Sequence, residues 1–326
     1  MTGIFATVGP STLNKKFLSS INKKTVNLLR INLSHTKMNE LKKTINFIKK
    51  YTNIPICIDT EGAQVRTKSI RKLKLKLKKK SIIYINQANS KKTNSFILSP
   101  PESYRQIKKG DVLSIDFDSA QIRVISKNTT SIKSVVIQEG IIANNKGVSI
   151  NRQIKLAPYT NKDIEAFNLA NELKIENVAL SFASSGNDIK RLRKFFDYPI
   201  NIIAKIESKK GIKNLKNILN EANAILIDRG DLSREVSIER IPELQKKIIN
   251  SSKKNKKPVY VATNLLESMV VKREPTRAEV NDIYNTLIDG ANGLVLAAET
   301  AIGKYPRECI EMILRVSKVF QKNHKK

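Results

Sequence analysis

The chain has 326 residues, 40% of them hydrophobic, and a formal net charge of +31 from 60 Lys and Arg against 29 Asp and Glu. This length and composition exclude a disordered tail and allow a large core, which we expect to be divided between two domains. No apolar run reaches the roughly 18 residues of a transmembrane helix. Cys57 and Cys309 are too few for a disulfide framework or a multi-cysteine metal site. We therefore expect a cytoplasmic protein without a signal peptide or membrane association.

The positive charge has two interpretations. One is a nucleic-acid-binding protein, because clustered Lys and Arg neutralise phosphates. The other is compositional drift, since Lys, Asn and Ile are abundant throughout the chain, Trp is absent, and AT-rich codons produce this bias. No nucleic-acid recognition motif accompanies the charge, so we favour drift and predict no specific nucleic-acid partner. In either case the field of the protein should attract anionic ligands.

Eight strand-like runs alternate with helical patterns along most of the chain. The runs are "IFATVG" (4–9), "VNLLRIN" (26–32), "IPICIDT" (54–60), "NVALSFA" (177–183), "INIIAKIE" (200–207), "AILIDRGD" (224–231), "PVYVAT" (258–263) and "GLVLAAET" (293–300). Helical spacing is clearest where apolar residues recur every three or four positions, as in 36–51 and 162–175. This alternation predicts an α/β fold, and eight such units predict a closed (β/α)₈ TIM barrel.

The segment between the third and fourth runs has a different sequence pattern. "KLKLKLK" (72–78) alternates strictly, so that Leu73, Leu75 and Leu77 share one face and lysines the other, and further short β runs follow. We predict a small all-β domain at 65–152, inserted after the third strand into a barrel formed by 1–64 and 153–326. The lysine ladder is predicted to be the solvated face of this domain.

Polar side chains follow the predicted barrel strands. They are Arg30, Asn32 and Ser34, then Asp59, Thr60 and Glu61, Lys205 and Glu207, Asp228, Arg229 and Asp231, Thr263, and Glu299 and Thr300. In a TIM barrel the carboxyl ends of the strands form the active site. We therefore expect these groups to surround a ligand at the barrel mouth.

The chemistry of these groups favours phosphoryl transfer. Glu207 and Asp231 are hard oxygen donors that suit Mg²⁺, and Arg30 and Lys205 suit a phosphate. The segment "IGKYP" is not a phosphate-binding P-loop, because Tyr305 follows Lys304. A metal site and two cations without an obvious nucleophile indicate catalysis by positioning and electrostatics.

Seven segments together resemble one enzyme family. "TVGPST", "LLRINLSHT", "IDTEGAQVRT", "AKIES", "DRGDLS", "ATNLLESMVVKREPTRAEVNDI" and "GLVLAAETAIGKYP" resemble pyruvate kinase in order and separation, over nearly the whole chain. The resemblance implies transfer of a phosphoryl group from phosphoenolpyruvate to ADP, giving pyruvate and ATP in glycolysis. It also implies Mg²⁺ (or Mn²⁺) and K⁺ as cofactors, and an inserted β-barrel domain that closes as a lid over the barrel.

The resemblance implies specific roles for residues in the matching motifs. The catalytic set is Lys205, Thr263 and Arg30, and the substrate-binding set adds the backbone N–H groups of Gly230 and Asp231. Glu207 and Asp231 match the Mg²⁺ ligands, and Asn32, Ser34, Asp59 and Thr60 match the K⁺ ligands. The nucleotide-binding set is Asn32, His35, Arg66 and Lys146, and Asp118 matches the acidic residue of the inserted domain through a loose alignment.

The chain departs from the family pattern at several motifs. The usual "DTKGPEIRTG" is "DTEGAQVRTK", which alters the hinge into the inserted domain, and "SGET" is "AAET", which loses a serine at Ala297. The usual "ARGDLG" is "DRGDLS", so that Asp228 adds negative charge beside the metal. Since the sequence stops at residue 326, we expect that the C-terminal allosteric domain of the family is absent, and we therefore expect a homodimer that fructose 1,6-bisphosphate does not activate.

Two further hypotheses remain open at this point. The chain could be a catalytically decayed pyruvate-kinase-like barrel that acts as a binding or structural protein, although Lys205, Glu207, Asp231 and Thr263 are all retained. It could also be another barrel enzyme that handles phosphoenolpyruvate, which the specific motifs disfavour. An assay with phosphoenolpyruvate and ADP separates these hypotheses.

Overall fold

The computed structural model describes residues 2–70, 74–88, 93–116 and 119–324. Its strands are β1 (Gly3–Thr7), β2 (Leu28–Asn32), β3 (Ile56–Asp59), β4 (Val65–Lys68), β5 (Leu75–Leu77), β6 (Ile82–Asn86), β7 (Ser95–Ser99), β8 (Val112–Ile115), β9 (Ala120–Lys127), β10 (Ser131–Gln138), β11 (Gly140–Ile142), β12 (Gly147–Ile150), β13 (Asn177–Leu180), β14 (Asn201–Ile206), β15 (Ala224–Asp228), β16 (Val259–Ala262) and β17 (Gly293–Leu296).

The helices connect these strands. They are α1 (Lys15–Leu18), α2 (Met38–Tyr51), α3 (Pro101–Gln106), α4 (Asn161–Glu172), α5 (Gly186–Arg193), α6 (Lys209–Lys213), α7 (Leu215–Glu221), α8 (Arg229–Leu232), α9 (Ile241–Lys254), α10 (Arg277–Asp289), α11 (Ala298–Ala301) and α12 (Pro306–Asn323), with 3₁₀ turns at Ile238–Arg240 and Glu267–Val270. Among the described residues, none of these helices combines the length and apolarity needed to cross a membrane.

The chain divides into two compact units, one formed by Met1–Gly62 with Pro158–Lys326 and the other by Ala63–Ala157. In the first unit eight parallel strands close in the order β1-β17-β16-β15-β14-β13-β3-β2. This confirms the predicted (β/α)₈ barrel. Its strands are buried on both faces, which explains their nearly continuous apolar sequences. In β14, for example, every residue after Asn201 is buried.

Alternation along the strands separates two apolar layers in the barrel. Ile202, Ala204 and Ile206 of β14 belong to the large cluster that also contains residues of the surrounding helices. Ile203 belongs to a smaller cluster with Leu28, Cys57, Leu226 and others from the remaining barrel strands. Because successive strand residues point to opposite faces, the smaller cluster is the barrel interior.

The second unit is an all-β structure with its own apolar core. Its sheet closes in the order β10-β6-β7-β4-β12-β8-β9, and β11 pairs separately with β5. Neighbouring strands are antiparallel except for β6 and β7, which are parallel. In the predicted lysine ladder, Leu77 is buried and Lys76 is exposed, whereas Lys72 and Leu73 lie outside the described residues. The assignment of this unit as a lid stays a prediction.

Three predicted strands extend at least three residues too far, and one of them, the run 177–183, ends as a strand at Leu180. The run 224–231 ends as a strand at Asp228, because the Asp228 carboxylate accepts from the Asp231 backbone N–H and caps α8. The run 293–300 ends at Leu296, and Ala298–Ala301 form the short helix α11. Asp231, Glu299 and Thr300 therefore lie on helical turns that follow the strands.

Candidate active site

The interior face of the barrel explains how the chain gathers its polar groups. Six strands carry an apolar interior residue followed two positions later by a polar one: Phe5 and Thr7, Leu28 and Arg30, Cys57 and Asp59, Ala179 and Ser181, Ile203 and Lys205, Leu226 and Asp228. A spacing of two keeps each polar residue on the same face as its apolar predecessor. The polar residues therefore form a layer above the apolar interior, at the carboxyl ends of the strands.

Lys205 is at the centre of this layer. It is only 3% exposed, and its Nζ lies 2.8 Å from Glu207 Oε1, 3.2 Å from Asp59 Oδ2 and 3.4 Å from Asp228 Oδ2. Burial opposes its positive charge, but these three carboxylates outweigh that effect and hold the pKa of Lys205 above its usual value. The ammonium is therefore charged and held in position at neutral pH.

Arg30 shares one carboxylate with Lys205. Its Nε and Nη2 both contact Asp59 Oδ2, and its Nη1 donates to Thr7 Oγ1 at 2.9 Å. Asp59 Oδ2 consequently bridges the guanidinium and the ammonium. Two fixed cations beside each other form a site that suits a polyanionic ligand.

Ser181 completes this arrangement, although the sequence reasoning did not select it. Its single hydroxyl hydrogen is shared between the Thr60 carbonyl at 2.7 Å and Asp59 Oδ1 at 3.0 Å, and its Oγ accepts from Lys205 Nζ at 3.3 Å. The sequence feature that could have identified Ser181 was its position two residues after Ala179, directly after the end of β13. A serine at a strand end is common, so residue type alone did not identify it.

Three carboxylates form an acidic cluster beside Lys205. Each of Glu207, Asp228 and Asp231 contributes an oxygen, and these oxygens all lie within 4.8 Å of one another. Glu207 is fully buried, and its Oε1 lies close to the Lys205 ammonium but outside hydrogen-bond geometry. Burial raises the pKa of Glu207 despite the opposing charge of Lys205. A cation at this point would therefore relieve a real electrostatic cost.

Asp228 joins the cluster to Thr263. The Thr263 hydroxyl donates to Asp228 Oδ1 at 2.6 Å. Although burial alone would raise the pKa of Asp228, the charge of Lys205 and the Thr263 hydrogen bond lower it to about 2. Asp228 is therefore a carboxylate anion at neutral pH.

Thr263 has an unusual backbone that a second contact supports. Its φ is +79°, which is rare for a β-branched residue. Arg229 donates to the Thr263 carbonyl through Nε at 3.2 Å and Nη2 at 2.6 Å, and Asp282 holds Arg229 through Nη1 at 2.9 Å. Arg229 and Asp282 thus stabilise a conformation that points the Thr263 hydroxyl at Asp228.

The four residues predicted to bind K⁺ lie at the adjoining ends of β2 and β3. Asn32 and Asp59 are register partners. Thr60 follows Asp59 directly, and the Asn32 side chain accepts from the Ser34 backbone N–H at 2.9 Å. These residues offer only oxygen donors, which suit a hard monovalent cation.

The predicted nucleotide-binding residues are divided between the two units. Asn32 and the exposed His35 belong to the barrel unit. In the second unit Arg66 is the register partner of Gly147, which follows Lys146 directly. Lys146 Nζ lies 2.9 Å from Asp116 Oδ2. Asp118 lies outside the described residues. A nucleotide site that uses both units stays a prediction.

Two polar residues at the end of the eighth strand have local structural contacts. The buried Glu299 accepts from the backbone N–H groups of Leu266 and Ala297. Thr300 donates to the carbonyls of Thr7 and Leu296. Both residues therefore tie the start of α11 to neighbouring segments.

Comparison with known proteins identifies relatives along almost the whole chain. The sequence model of the family described as pyruvate kinase, barrel domain, matches residues 1–310. The chain is 36% identical to the pyruvate kinase of Thermotoga maritima, covering 98% of this chain and 71% of that protein. It is 31% identical to the pyruvate kinase of Thermococcus litoralis, covering 97% and 69%, and 31% identical to that of Sporosarcina psychrophila, covering 97% and 56%. The resemblance inferred from the motifs is confirmed.

Proposed function

The chain belongs to the pyruvate kinase family, and from that premise we propose that it transfers a phosphoryl group from phosphoenolpyruvate to ADP, giving pyruvate and ATP. The observation that carries this proposal is the position of Lys205. Its buried ammonium is held by three carboxylates on the interior face of the barrel, beside Arg30. Such fixed charges act where negative charge develops in phosphoryl transfer.

Lys205 and Arg30 contribute electrostatic stabilisation in this proposal. The phosphoryl group passes through a loose transition state whose charge is spread over three oxygens. Arg30 binds the phosphate through its planar guanidinium, and Lys205 stabilises both the phosphoryl group in transfer and the enolate that remains. Since Asp59 already orients both cations, little reorganisation is needed during the reaction.

The residues fit a divalent cation. The acidic cluster offers hard oxygen donors, and Glu207 Oε1 is buried without a hydrogen bond. We assign Glu207 and Asp231 as the residues that would hold Mg²⁺ or Mn²⁺, and Asn32, Ser34, Asp59 and Thr60 as those that would hold K⁺. When bound, the divalent cation neutralises charge on the substrate oxygens and orients them.

The remaining roles concern the substrate and the nucleotide. The backbone N–H groups of Gly230 and Asp231 hold the substrate carboxylate, and Thr263 organises protonation of the enolate. Asn32, His35, Arg66 and Lys146 bind the ADP phosphates, with the second unit acting as a lid. We propose that the chain catalyses this step of glycolysis in the cytoplasm. We also propose a homodimer, which light scattering tests.

The test is a lactate-dehydrogenase-coupled assay with phosphoenolpyruvate, ADP, Mg²⁺ and K⁺. We expect NADH consumption that depends on all four. The Lys205→Met variant, purified identically, controls for contaminating pyruvate kinase from the expression host. If wild type and Lys205→Met consume NADH equally, or neither does so at any substrate concentration, the proposed activity is refuted. Binding of ADP without turnover would support the alternative of a decayed barrel.

A further inference from the structure

Three hydrogen-bond donors converge on the carboxylate of Asp228. The Thr263 hydroxyl donates to Oδ1 at 2.6 Å, and the backbone N–H of Asp231 points at the same oxygen at 3.5 Å. The Lys205 ammonium lies 3.4 Å from Oδ2. These donors come from three different segments of the barrel. Together they form a binding site for a carboxylate, and the Asp228 side chain occupies it. Asp228 is only 8% exposed.

The same donors belong to the proposed substrate site. Lys205, Thr263 and the Asp231 backbone N–H are three of the groups assigned above to phosphoenolpyruvate. The motif "ARGDLG", usual in the resembling family, has alanine where this chain has Asp228 in "DRGDLS". An alanine has no carboxylate to offer these donors. In this chain Asp228 therefore occupies donors that the proposed substrate would need.

We propose that Asp228 is an internal competitor of phosphoenolpyruvate for Lys205, Thr263 and the Asp231 backbone N–H, so that the substrate binds only when the Asp228 side chain gives up these donors. This inference rests on the proposed function. A hydroxyl and a backbone amide each have one hydrogen to donate. Asp228 and the anionic substrate cannot both receive these hydrogens in full, and two like charges at this point repel each other.

The competition should affect binding more than turnover. If Asp228 must rotate away first, the apparent Kd equals the intrinsic Kd divided by the fraction of molecules in which it has done so. Once the substrate is bound, Lys205 and Arg30 act on it in the same way as they would without Asp228. The expected signature is a raised KM for phosphoenolpyruvate with a smaller change in kcat.

The experiment measures phosphoenolpyruvate binding by titration calorimetry in the presence of Mg²⁺, in wild type, Asp228→Ala and Asp228→Asn. We expect Asp228→Ala to lower the Kd about 10- to 100-fold, the range that removal of one nearby like charge produces. Asp228→Asn should lower it less, because the amide keeps the bulk and one acceptor oxygen while losing the charge. The asparagine also preserves the α8 cap, so the test survives if the alanine variant folds poorly.

Asp289→Asn is the matched control for the change in net charge. Asp289 pairs with the exposed Lys246 at 3.3 Å on the outer helices, outside the proposed site, so its substitution should leave the Kd within about twofold. A titration with Mn²⁺ alone adds a second readout. Mn²⁺ binding should be weakened but retained in Asp228→Asn, because Asp228 adds negative charge to the cluster while Glu207 and Asp231 are the assigned ligands.

The outcomes separate this inference from the proposed function. An unchanged or higher phosphoenolpyruvate Kd in both Asp228 variants overturns the inference, even if the wild type is an active kinase. Abolition of Mn²⁺ binding in both variants also overturns it, since Asp228 would then be an essential metal ligand. If phosphoenolpyruvate binds more tightly to the variants but neither they nor the wild type form pyruvate, the inference stands and the proposed function fails.

Discussion

Replacing Lys205 by methionine tests the site at its most heavily paired residue. The three ion pairs at 2.8, 3.2 and 3.4 Å each represent about 5 to 6 kcal/mol of Coulomb energy at an effective dielectric constant of about 20. Burial of the ammonium offsets much of this. Removing one partner of a buried ion pair costs about 3–5 kcal/mol, because it leaves charge uncompensated. At about 2–4 °C per kcal/mol, the Tm should fall by roughly 6–20 °C.

Mg²⁺ should recover part of this stability in Lys205→Met. The variant leaves Asp59, Glu207 and Asp228 without their shared cation, and a divalent ion supplies positive charge at the same cluster. We therefore expect a larger Mg²⁺-induced rise in Tm for the variant than for wild type, measured by thermal unfolding with circular dichroism. Lys246→Met is the control, since Lys246 is exposed and its ion pair with Asp289 contributes about 1 kcal/mol.

Lys205→Met should also lose catalytic activity at temperatures where it remains folded. Removal of one preorganised donor typically costs about 10²–10³ in kcat, and Lys205 is a full positive charge in a buried site. We expect a loss of at least about 100-fold in the coupled assay, at temperatures where circular dichroism shows a folded protein. Wild-type turnover by a folded Lys205→Met would falsify the assigned role, and an unchanged Tm would contradict the electrostatic reasoning.

Three further predictions concern other parts of the chain. Ser181→Ala should lower stability by about 1–3 kcal/mol, because the Asp59 carboxylate and the Thr60 carbonyl lose the buried donor that they share; an unaltered thermal transition would argue against this. The rate should depend on K⁺, so equal rates in tetramethylammonium buffer with and without K⁺ would exclude the predicted site. In the second unit burial alone would raise the pKa of Asp111, but hydrogen bonds from Arg152 and the backbone N–H of Lys108 hold the pKa below its usual value. The ionised Asp111 carboxylate contributes its full stability above the unfolded pKa near 4, and this stability is lost as pH falls through the folded pKa. The difference in Tm between wild type and Asp111→Asn should therefore narrow from pH 5 to pH 3. A constant difference would contradict the pairing.

Local sequence patterns predicted the fold but not the ends of its strands. Apolar runs separated by helical periodicity specify the barrel, because strands covered on both sides must be apolar throughout. The predicted end of β15 was wrong because Asp228 is compatible with both a strand and a helix cap. In the structure the Asp228 side chain caps α8 by accepting a hydrogen bond from the Asp231 backbone N–H.

The sequence by itself determined the family, the barrel and the types of residue at its carboxyl rim, since these depend on short motifs and on alternation along single strands. Only the tertiary structure decided which of those residues touch. Asp228 and Thr263 are 35 positions apart, and Lys205 and Asp59 are 146 apart, so neither contact follows from local spacing. The extra carboxylate in "DRGDLS" was visible in the sequence as added charge. Its contacts with Thr263 and Lys205 arise because closing eight strands into a barrel brings their interior faces together.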